Sequence, residues 1–354
     1  MPPSPTPTNG SLSEMKRTSH IQRALGGALV ASLLTGVAMP AFAADYTLKI
    51  AHVVPQGDPR DTAARHVADL MNNSESCDVE AEVFPSAQLG TTTDLIEGMQ
   101  LGSIEAVILP ASFLVGFQPL MGIFDFPFYW PSETDKLVEL HKSDAMRTLL
   151  ETTNEQGVYS MDVWHTGYKQ WTANAPLTST ENFAGKRARV MPSEILIEQQ
   201  KALGLTPVTM PFPETYSALQ SGAIDAQENP IPTIFTMRFQ EVQSDLTMTN
   251  HGNLDQIFMV SKSWFDGLPA DCQSELESAV DSGQELVLDE TVKVEEKALT
   301  TFADQGIKIT ELTDEQRTAL RDATLPKVKE LYTKTNGDRG QEMIDLISGA
   351  ISGK

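Results

Sequence analysis

Six histidines, two cysteines and a surplus of carboxylates could do chemistry in this chain, yet their spacing builds no usual catalytic unit. A serine nucleophile on its elbow would read GxSxG, a zinc protease HExxH, and a nucleotide site a P-loop or GxGxxG. None of these patterns occurs. Cys77 and Cys272 have neither CxxC nor zinc-ligand spacing, and the histidines are scattered, so no paired site is legible from them. A hydrolase or lyase would need a nucleophile or a tuned acid–base pair, and the sequence offers no such pair. The expectation is a protein that is not an enzyme and carries neither metal nor cofactor.

The elements that would position any site alternate between strand and helix. Leu48 to Val54 is a short apolar strand that stops at Pro55-Gln56-Gly57. Asp61 can cap a helix running through Asn73, with Ala64, Val67, Leu70 and Met71 on one face. Val79, Ala81 and Val83 alternate as a second strand, a helix follows from Thr93 to Leu101, and Ala106 to Leu109 is a third strand. Helices on the connections predict a parallel sheet of the α/β kind. A second such unit begins near Gly167, with a strand at Arg187–Val190, a helix from Ser193 to Leu203, and Pro213 at a helix start. Residues 270–302 hold no proline and predict one long helix with Gly283 inside it. Such a helix would be about 45 Å long, enough to run along two domains.

The N-terminus bears on compartment. Lys16, Arg17 and Arg23 precede a short apolar run that ends in Ala41-Phe42-Ala43, the pattern of a cleaved secretory signal peptide. Residues 1–14 read as an upstream extension, and the exported chain is expected to start at Ala44. The whole chain carries a formal charge of −22. That acidity argues against nucleic acid or anionic lipid as a partner. The two cysteines are expected to be separate free thiols, since each sits among polar residues far from the other. An oxidising compartment would leave pairing open as the alternative.

Four stretches of sequence go further than composition. They are Pro85-Ser86-Ala87-Gln88-Leu89-Gly90, then Glu97 to Glu105, then Gly185-Lys186-Arg187-Ala188-Arg189-Val190, and PVTMPFPETYSALQSGAIDAQENP at 207–230. With the strand ending at His52 and the run Met248-Thr249-Asn250-His251, they resemble the solute-binding subunits of tripartite ATP-independent periplasmic (TRAP) transporters, the DctP-like family. The resemblance covers essentially all of residues 44–354. It implies a two-lobed periplasmic-binding-protein fold with a hinge between lobes and a long C-terminal helix spanning both. Lobe one would be 44–166 plus 255–294, and lobe two 167–254 plus 295–354. It implies an extracytoplasmic receptor that binds a small carboxylate in the inter-lobe cleft and delivers it to membrane permease subunits. A sensory receptor built on the same fold is the alternative.

The resemblance also implies a set of ligand-binding residues. Arg189 matches the arginine that pairs with the ligand carboxylate, and a guanidinium can fork onto both oxygens at fixed geometry. Arg187 is expected to be a surface residue. Lys169 stands where the family often has a second arginine, in Trp164-His165-Thr166-Gly167-Tyr168-Lys169. That keeps charge and loses the fork, so ligand contact and an internal salt bridge are both open for it. Asn229 matches the binding asparagine, Phe212 an aromatic that packs on ligand, and His52 a polar residue at the end of the first strand. Trp164 is expected either to line the cleft or to fill the hinge region. Gln227 and Glu228 are expected to hold the Asn229 loop. The acidity of the chain would repel an anion, so positive charge must be local to the cleft. The particular organic acid and the oligomeric state are not legible in the sequence.

Overall fold

The computed structural model describes residues 44–353; the expected signal peptide, residues 1–43, lies outside the described residues. Strand β1, Tyr46–Ala51, pairs in parallel with β2, Val79–Phe84, and with β3, Ala106–Pro110. β2 buries Val79, Ala81 and Val83 and exposes Glu80 and Glu82, the alternation of an edge strand with one wet face. β3 is central and buried at every residue. The expected all-parallel sheet is in fact mixed. β4, Val158–Tyr168, completes it on the far edge. Between β3 and β4 runs a late strand, Asn253–Ser261, antiparallel to both.

A second sheet takes its strands from the middle and end of the described chain. β5, Gln170–Ala173, pairs antiparallel with β8, Gln227–Asn229, and with β9, Asp245–Met248. β11, Lys308–Glu311, adds in parallel to β9, and the late strand of the first sheet is β10. A two-stranded parallel ladder, β6 (Arg187–Val190) with β7 (Thr206–Thr209), joins this unit through a bridge between Ala188 and Ala226. The chain therefore forms two α/β lobes. It passes from one sheet to the other through Lys169, the single residue between β4 and β5. It returns through 249–252, between β9 and β10. The two crossings touch, because the Lys169 backbone N–H donates to the Gly252 carbonyl at 2.7 Å.

The long helix is Ala270–Asp304 and spans both lobes, packing on helix Pro59–Asn72 and β4 at one end and on helix Ile231–Thr236 at the other. At 35 residues it is about 52 Å long. Gly283 does not interrupt it: a Cβ there would lie 2.5 Å from Cζ2 of Trp164, so glycine lets helix and sheet close together. A final helix, Asp314–Ile351, bends at Gly337, whose φ of 60° lies in the left-handed region.

Two expectations are corrected here. The first helix starts at Pro59 and is capped not by Asp61 but by Asp58, three residues earlier, whose side chain accepts from the Arg60 N–H. Cys77 and Cys272 are not free thiols but a disulfide across a sequence separation of 195. Helix Pro59–Asn72 packs on helix Ala270–Asp304, and that contact sets the loop before β2 against the first turn of the long helix, with the two Cα atoms 5.0 Å apart. Proximity of this kind arises from packing and leaves no trace in spacing. Closing so large a loop restricts the unfolded chain, so the double variant Cys77→Ser/Cys272→Ser should lose about 2 to 4 kcal/mol of stability in urea unfolding. Unchanged stability would mean that the bridge contributes nothing.

Candidate functional site

Arg189 is the third residue of β6. Its N–H donates to Ala226 and its carbonyl accepts from Gln200 Nε2 at 3.0 Å, so the backbone is held on both sides. The side chain is buried, yet neither Nε nor Nη2 has a hydrogen-bond partner among the described residues. Burial pulls the guanidinium down to about 10, with the Glu228 carboxylate pushing the other way, so it stays cationic at neutral pH. Its carbon lies 5.4 Å from the centre of the Phe212 ring, a favourable cation–π contact for the charge. A buried cation normally finds a hydrogen-bonded counter-charge. Arg187, two residues earlier, is at the surface and paired with Asp225 at 2.8 Å.

Lys169 is buried at the crossing between the sheets, with its Nζ 3.6 Å from Glu228 Oε2. The stem lies so close to Gly252 that a Cβ there would come within 2.9 Å of Lys169 Cε. Burial would raise the Glu228 carboxyl, but Lys169, a hydrogen bond from His251 and the more distant Arg189 hold it at about 2. Burial lowers His251 against the pull of Glu228, which favours a neutral ring. In that state Nε2–H donates to Glu228 and Nδ1 accepts the Thr249 hydroxyl at 2.7 Å. Asp125 lies near the same group, accepting from Ser112 at 2.5 Å and Ser193 at 2.6 Å, and burial pushes its carboxyl up.

Asn229 is buried at the end of β8, and its amide donates to Gln227 Oε1 at 2.6 Å. Gln227 in turn donates to Thr172, which anchors the strand. His52 follows β1, buried, with Nε2 3.3 Å from Asp61 Oδ1 and neither ring nitrogen hydrogen-bonded among the described residues. The loop across this strand end places Ser86 and Ala87 at φ 55° and 58°, the left-handed region that non-glycine residues rarely occupy. The loop is tied down by N–H bonds from Ser86 to Val54 and from Ala87 to His52. Strained backbone of this kind gathers at functional sites. Beside it opens a chamber of about 530 Å³, walled by Val53, Ala87 and Phe113 on one side and Pro192, Met210 and Phe212 on the other. Its walls come from the segments that follow β1, β2, β3, β6 and β7, the carboxyl ends where open α/β sheets take ligands.

The structure thus brings Arg189 and Phe212 into contact and places Lys169 against Glu228, the residue before Asn229. Trp164 is a correction. It is fully buried in the core of the first lobe, packed on Phe258 and donating its indole N–H to Val280, and it does not face the cleft. The reason is register: β4 turns Trp164 toward the long helix, where Gly283 receives it. Glu228 does more than hold a loop, since it neutralises Lys169. Asp125 and the ring chemistry of His251 were not legible; His251 stood in a motif without a role, and Asp125 has no local signal. His141, at the end of helix Thr134–His141, and His165, in β4, do converge, both on Asp255, at 3.2 and 2.7 Å, but within the first lobe and not beside Arg189. Among the described residues no group of three or more His, Cys, Asp or Glu could hold a metal ion, and no helix is long and apolar enough to cross a membrane.

The family model of the bacterial extracellular solute-binding proteins, family 7, matches residues 50–335. A C4-dicarboxylate-binding periplasmic protein of Rhodobacter capsulatus is 33% identical over 340 residues, 95% of this chain and 99% of the relative. A TRAP periplasmic solute-binding protein of Desulfovibrio salexigens, solved with bound orotic acid, superposes with a TM-score of 0.84 at 33% identity, covering 87% of this chain and 99% of that one. A similar protein of Sulfurospirillum deleyianum, solved with succinate, gives 0.79 at 31% identity over 88% of this chain and 100% of that one.

Glu228 gives the site a pH signature. Its carboxyl is held at about 2, below the ordinary value of 4.5, so the stability it confers is present above 4.5 and is lost as pH falls toward 2. In urea unfolding from pH 6 to pH 3, Glu228→Gln should flatten the acid limb relative to the parent protein. An identical slope in both would show that the folded state does not hold the Glu228 carboxyl below its ordinary value.

Proposed function

The chain belongs to the bacterial extracellular solute-binding proteins of family 7, the solute receptors of TRAP transporters, and we propose that it captures a small organic acid through Arg189. The observation that carries this is the buried guanidinium with two unpartnered nitrogens beside the strand ends. A carboxylate satisfies that fork with two charge-assisted hydrogen bonds. The named ligands of the relatives above, C4-dicarboxylate, orotic acid and succinate, all carry that group.

The proposed binding surface is Arg189, Phe212 and Asn229 from one lobe and His52 from the other, with Lys169 behind them. The lobes are taken as 44–166 plus 255–294 and 167–254 plus 295–354, a division supported by the two sheets, whose strands part within two residues of these bounds at Tyr168 and Asn253. Ligand bridges the lobes, and hinge closure at the crossings 169 and 249–252 follows. Closure dries the site, and in a drier site the contact with Arg189 is stronger. Ligand favours the closed form only by its differential affinity for it. Membrane permease subunits then take the closed receptor as their partner. The protein works in the periplasm, exported by a cleaved signal peptide, and turns nothing over.

The test is a thermal-shift screen of organic acids, sugar acids and neutral sugars, in which a ligand at about 100 times its dissociation constant adds about 2.7 kcal/mol. Arg189→Met should abolish the shift with the best acid, weakening binding about a hundredfold or more. The same substitution removes a buried charge that has no partner, so the ligand-free variant should melt no lower than the parent. Retained affinity in Arg189→Met would refute the role of the guanidinium.

A further inference from the structure

The buried lysines and arginines among the described residues are Arg60, Lys169 and Arg189. Arg60 is answered by Asp58, with Nε 2.7 Å from Oδ1 and Nη2 3.0 Å from Oδ2. Lys169 is answered by Glu228 at 3.6 Å. Arg189 alone makes no ion pair, so the cleft holds one uncompensated positive charge. The remaining carboxylates do not add to it: Asp61 is shared by Arg65 and His52, and Asp125 is capped by two serine hydroxyls. A second carboxylate on a ligand would have no free cation to meet, and an unpaired charge in a closed cleft is costly.

The chamber next to Arg189 points the same way. Phe212 is common to both, with the guanidinium against its ring and the ring forming part of the chamber wall. Val53, Phe113, Pro192 and Met210 give the wall its apolar part, threonines at 91–93 and 209 line much of the remainder, and the only charged residue there is Asp94, whose carboxylate would repel a second anion. We infer that the ligand is a monocarboxylic acid whose single carboxylate meets Arg189 and whose remainder is an apolar or aromatic body seated in the Val53–Phe113–Met210–Phe212 chamber. This rests on the role proposed for Arg189, and it departs from the dicarboxylates that some relatives are named for.

Calorimetric titration of the purified protein separates the two. The panel comprises monocarboxylates with branched or aromatic bodies, C4 and C5 dicarboxylates, and the carboxamides of the same monocarboxylates. The expected result is tightest binding by a monocarboxylate, with dicarboxylates weaker by about tenfold or more and carboxamides silent. A dicarboxylate that binds more tightly than every monocarboxylate, or a panel in which no monocarboxylate binds, overturns the inference and leaves anion recognition by Arg189 standing. Carboxamides as tight as their acids overturn anion recognition itself. Glu228→Gln supplies a second readout, because it frees Lys169. The ratio of dicarboxylate to monocarboxylate affinity should then rise about tenfold, and an unchanged ratio contradicts the charge count.

Discussion

A buried guanidinium without a counter-charge is the constraint around which the rest of the cleft is arranged. Leaving Arg189 dry and unpaired costs stability, and the backbone bonds to Ala226 and Gln200 keep the strand from relieving it. The π-face of Phe212 returns part of that cost and keeps the fork nitrogens open. Glu228 could have quenched the charge, but Lys169 and His251 occupy it. The Lys169–Glu228 pair thus leaves the Arg189 guanidinium without an ion-pair partner among the described residues.

Global and local electrostatics oppose one another here. A chain of formal charge −22 repels anions at long range, and salt screens that field beyond about 8 to 10 Å. Inside the cleft the local dielectric is lower, so one cation outweighs many distant carboxylates. The same group of side chains sits at the hinge. Lys169 is the residue by which the chain leaves the first sheet, and its backbone bond to Gly252 clips the outgoing and returning crossings together. The proposed anion site and the crossings between the two sheets thus lie close to one another.

The order of strands and helices, the long helix and the position of Arg189 were legible because local periodicity, turn residues and a long motif encode them. Arg187–Val190 is a strand with those bounds, and Pro213 does open a helical turn. What sequence spacing concealed was set by tertiary packing. β10 enters the first sheet antiparallel from far along the chain, so a local pattern of alternating helices and strands could not reveal a mixed sheet. The Cys77–Cys272 bridge depends on two helices packing together. Trp164 sits in a motif next to cleft residues, but its register in β4 sends it into the core. For Lys169 the fold shows an ion pair to Glu228 at 3.6 Å, a partner that spacing along the chain could not reveal.

The most direct test is a crystal structure with the tightest organic acid from the screen. Both carboxylate oxygens should lie about 3 Å from Nε and Nη2 of Arg189, with Lys169 still on Glu228. A ligand whose carboxylate sits elsewhere while those two nitrogens remain unpartnered would contradict the assignment of Arg189 as the anion receptor.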